Sequence, residues 1–337
     1  MSTFIADDVF DAPREQPKVE ESVNADVATP SIVAGETYWF EEETPFNTLV
    51  TQLQHEEKLP SNPVALPLPY LSVSQVELYL KCPMQFYFRY VKGMRKAPGI
   101  AMVQGTTIHK AVEVGYRHVI KSQGEAPSLE LILDTYSGTL DEGLKEEVVW
   151  DDDGDDDNLV SKDPGKVKDQ GVGLLKKWHR EKLPKVKPRS VEKSFVTHFG
   201  GVPVVGRIDL VDRIEKPMSE DGAAKLEMHP LLDAVVDNKV VGKTYTKAMV
   251  DSKLQMSLYA HATGLPNQRY DLFVKTKIPK LVDLSTSRNA QQVRWAVKIF
   301  TEVAKAISAG QFPPCSPDNF LCNEKWCGYY SICRGGV

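Results

Sequence analysis

The chain has 337 residues, 42% of them apolar, and a formal net charge of −5, which is enough apolar material for a sizeable core and too much for a wholly disordered polypeptide. No apolar run approaches the roughly 18 residues of a membrane-crossing helix, and the N-terminus lacks the basic-then-apolar pattern of an export signal, so a soluble cytosolic protein with no membrane partner is expected. Five cysteines in that compartment point to metal or redox chemistry before disulfides.

Charge is segregated along the chain. Residues 1–65 carry 13 acidic and 3 basic side chains, which leaves 66–337 at a net +5. A second acidic run, 141–157, holds ten acids and one lysine, and without it the remainder stands at +14. A basic body with acidic appendages suits a polyanion-binding surface. The segment 1–65 has no sustained hydrophobic period and reads as an acidic, largely disordered arm. A Pro-studded linker, 60–69, then leads into a domain over 66–337 that carries an acidic insertion at about 141–160.

Ser74-Gln-Val-Glu77 has the form of a capping box and predicts a helix start, with Pro83 interrupting the helix just after Cys82. Phe86, Tyr87 and Tyr90 continue as an aromatic stripe. A second helix is predicted over 105–119, with His109 and Glu113 beside its apolar face, and a third around 128–147. The run Asp151-Asp-Asp-Gly154-Asp-Asp-Asp157 is not an EF-hand loop, because glycine falls fourth and the twelfth residue is Lys162. Apolar, β-rich segments follow at 189–198, 202–214 and 231–241, then helices at about 245–263 and 287–308. Helices, strands and helices in that order predict an α/β core.

Three features carry chemistry. Asp209 ends the run Val204-Val-Gly-Arg-Ile-Asp209, and Asp237 ends Leu231-Leu-Asp-Ala-Val-Val-Asp237. Carboxylates side by side at the ends of two buried strands make a pocket that is costly unless a cation fills it. Lys239, two residues on, faces the same way as Asp237 in extended chain. Gln255 and Tyr259 share one helical face and can hydrogen-bond a lysine, a water or a phosphate. Finally, Cys322, Cys327 and Cys333 cluster at the C-terminus, with Cys82 far upstream. Four thiolates suit Zn²⁺ or an iron–sulfur cluster by count. Cys315 is set aside as a free cysteine.

The order Gly-x-x-Asp, Asp-x-Lys, Gln-x-x-x-Tyr resembles the RecB-type branch of the PD-(D/E)XK nuclease superfamily. The resemblance implies a restriction-endonuclease-like fold, a central mixed sheet flanked by helices, here with an N-terminal helical part and a cluster-stapled tail. It implies His109, Asp209 and Asp237 as ligands of Mg²⁺ or Mn²⁺, with the Asn238 carbonyl as a further candidate, Lys239 as the catalytic lysine, and Glu192, Gln255 and Tyr259 as further site residues. The one-plus-three cysteines are similar to those of AddB-like nucleases, of CRISPR-associated spacer-acquisition exonucleases and of phage-encoded relatives, which implies a 4Fe–4S cluster on Cys82, Cys322, Cys327 and Cys333. Where the family commonly has Thr or Ser with a small residue after acid-x-Lys, this chain has Val240-Val-Gly242.

The function so implied is a metal-dependent DNA exonuclease acting on single-stranded ends, in recombination, repair or phage DNA processing, within a bacterial or phage-infected cytoplasm. The sequence has no Gly-x-x-x-x-Gly-Lys-Ser/Thr loop, so a partner helicase, a recombinase or a CRISPR-adaptation complex is expected if movement along DNA is required. The competing reading is a non-catalytic DNA-binding subunit of such a complex.

Overall fold

Gly200 and Gly201 both adopt positive φ, 58° and 85°, which costs a glycine little, and they turn the chain between its two longest strands. β3 (Pro188–Phe199) and β4 (Val202–Ile214) pair antiparallel across that turn, from Phe199↔Val202 to Pro188↔Asp212. The computed structural model describes residues 36–40, 45–58, 65–150, 163–214 and 232–334, all within a unit spanning 32–337. Its seven-stranded mixed sheet runs β1-β3-β4-β5-β6-β7. β1 (Tyr38–Phe40) is antiparallel to β3, and the short β2 (Leu71–Ser72) is parallel to β4. β5 (Leu232–Val241) runs antiparallel to β4 and parallel to β6 (Asn267–Val274), and β7 (Lys280–Ser287) closes the far edge antiparallel to β6.

Helices cover both faces. On one face α2 (Val73–Lys81), α8 (Leu254–Thr263) and α9 (Ala290–Ser308) bury Val76, Met256, Leu258, Phe300 and Ile307 against Phe195, Ile208, Val235 and Leu272. On the other, α4 (Ile100–Lys121), α5 (Leu129–Gly143) and α6 (Pro164–Glu181) pack Ile108, Tyr136 and Trp178 against Val191, Leu210, Val236 and Phe273. Each such buried side chain contributes roughly 1.5–3 kcal/mol relative to exposure. The α/β class and the mixed sheet between helices agree with the expectation.

The helices differ from expectation in detail. α2 begins earlier than the Ser74 box: Ser72 caps it, its hydroxyl accepting the Gln75 N–H and its own N–H donating to Gln75 Oε1, because pairing of β2 with β4 holds Ser72 extended, as an N-cap must be. Pro83 opens α3 (Pro83–Phe86), and a π-helical turn follows over Tyr87–Val91. The helix expected over 245–263 is two pieces, α7 (Lys247–Asp251) and α8. The segment assigned to the acidic arm contains β1 and α1 (Phe46–His55), which buries Leu49, Val50 and Leu53 over Val196 and Val205 of the central hairpin. Residues 1–35, 59–64 of the linker and 151–162, with residues 151–157 of the acidic run, lie outside the described residues.

Candidate active site and thiol cluster

β4 and β5 stay paired only from Ile214↔Leu232 to Leu210↔Val236. Upstream of Leu210, β4 remains with β3, and beyond Val236, β5 remains with β6. Asp209 and Asp237 therefore stand at a fork inside their strands, not at strand ends as the sequence suggested. Extending the register by one step sets Asp209 opposite Asp237, and extending the β3–β4 register sets Glu192 opposite Asp209. Glu192 has φ 50°, uncommon for a residue with a side chain. Alternation breaks at this step: Ile208 packs on one face of the sheet and Leu210 on the other, and Phe195 and Val191 do the same. A regular strand would keep each pair on one face. The irregularity re-aims Glu192 and Asp209 beside the break.

One group forms around these two acids. The imidazole of His109, from the middle of α4, and the carboxylates of Glu192 and Asp209 offer ligand atoms that all lie within 4.8 Å of one another. Nδ1 of His109 is 3.4 Å from Asp209 Oδ2. The same oxygen accepts the Asn238 backbone N–H at 2.8 Å, so a side chain takes the donor that the parted strand no longer pairs.

A second group adjoins it. Asp237 is 1% exposed. Its Oδ1 accepts from Gln255 Nε2 at 2.7 Å and from the Tyr259 hydroxyl at 3.2 Å. The ammonium of Lys239 lies 2.7 Å from its Oδ2 as an ion pair. Tyr259 also reaches the Arg207 carbonyl at 2.8 Å, and Tyr270 donates to Gln255 Oε1 at 3.3 Å. His109, Glu192 and Asp209 are thus gathered in one cluster and Asp237, Lys239, Gln255 and Tyr259 in the next. Asn238 links them through its N–H, and its own buried Oδ1 is unpaired.

Electrostatics separate this site from a structural acid cluster on the same sheet. Burial and the Asp237 charge push Asp209 up to about 6, against the opposing pull of His109 and Lys239. Burial, then the charges of Asp209 and Glu113, raise Glu192 to about 8. Asp271 is equally buried, and burial favours its neutral form, yet Arg269 and Lys182 hold it below its ordinary value. Arg269 also binds Asp212 at 2.8 Å. That second cluster carries its own cations. Glu192 pairs with Arg207 at 3.9 Å and Asp209 with His109, while Lys239 and Arg117 act on them without an ion pair to either among the described residues, and both stay raised, so they fit an added divalent cation, whose oxygen and nitrogen ligands they and His109 could supply. Lys239 is held the other way: burial would lower it, but Asp237 and Asp209 raise it to about 12, and it stays an ammonium.

A cleft of about 1260 Å³ reaches the fork from the Lys239 side, lined by Arg207, Lys239, Lys253, Tyr245, Gln255 and Phe46 among others. Arg207, inside the Gly-x-x-Asp run, and Tyr270, on a strand the sequence reading passed over, were missed. A basic residue within the motif was the available signal for Arg207, whereas nothing in the local sequence marks Tyr270.

The five cysteines line a single pocket where the C-terminal tail meets α3. Cys315, set aside from the sequence, is among them. Burial and the neighbouring Cys82 and Cys322 thiols push it up. Gln85 donates to Cys327 Sγ at 3.1 Å and Arg334 to Cys322 Sγ at 3.6 Å. Among the described residues no three of the sulfurs come within 4.8 Å of one another, whereas thiolates around one tetrahedral zinc would stand about 3.8 Å apart at the usual bond length.

The model of the PD-(D/E)XK nuclease superfamily matches residues 70–334. Among solved structures, the chain is similar to the "Putative exonuclease" of Eubacterium rectale, at 14% identity over 76% of this chain and 86% of that one, with a TM-score of 0.43. A second, SSO0001, is 12% identical over 88% of this chain and 100% of its own, with a TM-score of 0.32. No curated protein matches the chain.

Proposed function

Because the chain belongs to the PD-(D/E)XK nuclease superfamily, we propose that it is a metal-dependent DNA exonuclease that degrades single-stranded ends and carries a 4Fe–4S cluster in its thiol pocket. The observation that carries this reading is the fork, where His109, Glu192 and Asp209 converge beside Asp237 and Lys239. A Mg²⁺ or Mn²⁺ ion held by the first three supplies charge neutralisation and Lewis acidity at a phosphodiester. The chain's own part is positional. Gln255 and Tyr259 fix Asp237, Asp237 fixes Lys239, and the Lys239 ammonium, fixed in charge, faces the cleft as a donor to a phosphate oxygen or an approaching water. A preference for single strands is supported by the mix of cations and aromatic rings in the cleft, since exposed bases stack on such rings. Cys82, Cys322, Cys327 and Cys333 would hold the cluster, closing the tail onto α3 and shaping access to the cleft. Recombination, repair or phage DNA processing in the cytoplasm, alongside a helicase, recombinase or CRISPR-adaptation partner, is the setting that accords with this activity.

End-labelled single- and double-stranded DNA incubated with Mg²⁺, Mn²⁺ or chelator tests the reading. Metal-dependent shortening from the ends, faster on single strands and lost in Lys239→Ala, is the expected result. Binding without cleavage under every metal condition would make the protein a DNA-binding subunit instead. Iron and acid-labile sulfide in the purified protein test the cluster, and stoichiometric zinc with no iron would exclude it.

A further inference from the structure

A second groove, of about 1910 Å³, lies between α2, α7 and the first turns of α9. Lys253 and Glu77 line both it and the catalytic cleft, so the two adjoin. Three large apolar side chains on its walls are open to solvent: Trp295 at 62%, Leu80 at 56% and Met249 at 44%. Trp295 fills no core, because α9 buries Val293, Ala296 and Phe300 along a different stripe. The groove is also basic. Lys81, Lys253, Arg294 and Lys298 face Glu77 and Asp251, and Asp251 is already engaged by Lys247 and Thr286. None of the four cations makes an ion pair among the described residues. Lys298 lies 5.7 Å from the Trp295 ring centroid and Lys253 5.2 Å from that of Tyr245.

We propose that this groove is a track for the single-stranded DNA that extends beyond the cleft, with a base stacking on Trp295 and phosphates running along Lys253, Arg294 and Lys298. Unpaired cations beside an open aromatic ring are the chemistry that a flexible polyanion with exposed bases recognises. Its position beside the cleft sets its direction, and the proposal rests on the nuclease reading above.

The test uses the full-length protein in chelator and measures anisotropy of labelled single strands, one of roughly 20 nucleotides, longer than a typical site, and one of a few nucleotides. Trp295→Ala should weaken the long strand roughly tenfold, the loss of about one stacked base, with Trp295→Phe restoring most of it. The short strand should bind as before, and its cleavage with metal should be unchanged. Arg294→Ala with Lys298→Ala should flatten the salt dependence of long-strand binding. Unaltered long-strand affinity in both variants would overturn the track and leave the groove as a surface for a protein. Failure of the nuclease reading is distinct, since it would show as no cleavage of any strand by the unmutated protein.

Discussion

Lys239 is the residue on which the proposed chemistry turns. Its ammonium is fixed by Asp237 and kept charged by both aspartates, so it acts as a donor and not as a base. Lys239→Ala should lower single-turnover cleavage by about 10²-fold or more, the scale of losing one positioned donor, with circular dichroism unchanged. Lys239→Arg should recover only part of it, since a planar guanidinium does not reproduce a compact ammonium. The two raised carboxylates give a second expectation. Unfolded, they titrate near about 4. Folded, Asp209 titrates at about 6 and Glu192 at about 8. Between those values the folded state holds the extra protons, so their contribution to stability is full below about pH 4 and is lost as pH rises through 6 and then 8. A cation reverses this by binding the deprotonated forms. The melting temperature gained on adding Mn²⁺ should therefore be larger at high than at low pH by scanning fluorimetry, and an equal gain at both would argue against these carboxylates as ligands.

At the scale of elements, the fork is built by packing on β3 and β4. Gly206 faces Phe195 across the ladder, and a Cβ placed there would come within 2.4 Å of the Phe195 ring. The glycine of Gly-x-x-Asp is thus a contact requirement between two strands. Gly206→Ala should destabilise the protein by about 1–3 kcal/mol, seen as a lower urea midpoint at unchanged slope, and should also disturb the neighbouring Arg207 carbonyl that receives Tyr259. Gly171 of α6 is similar: its Cβ would fall 2.0 Å from the Tyr136 hydroxyl, so Gly171→Ala should separate α5 from α6 at comparable cost while leaving the fork intact. Periodicity made most of the helices and β3–β5 legible. It did not reveal β6, although Asn267–Val274 is buried on both faces, because Asn267, Gln268, Arg269 and Asp271 are buried polar residues that leave no apolar pattern to detect.

At the scale of the whole described unit, aromatic contacts and tyrosine hydrogen bonds join the tail to the first helices. Phe312 stacks against Phe86 at 6.2 Å, Tyr79 donates to the Gln311 carbonyl at 2.6 Å, and Tyr329 donates to that of Met94 at 2.6 Å. These contacts hold the tail onto the first helices without a cluster, and if the proposed cluster is bound, Cys327→Ser should lose its iron and lower the melting temperature without unfolding the sheet. Cys315→Ser should keep the iron, and its loss there would make Cys315 a ligand. Charge, composition and the spacing of a few residues were enough to point to the α/β class, to two aspartates with a lysine, and to a one-plus-three thiol set, because each is local or strictly ordered along the chain. Which acids share an ion site was not readable that way. Glu192 and His109 join Asp209 only because a left-handed residue in β3 and the parting of β4 from β5 bring three distant segments to one point. Asp237 stands close enough for its charge to act on Asp209, and it also contacts Lys239, Gln255 and Tyr259. Cys315 lies near Cys322, Cys327 and Cys333 along the chain, but its meeting with Cys82, more than 200 residues upstream, is decided by how the tail packs on the first helices, and no spacing in the chain encodes it.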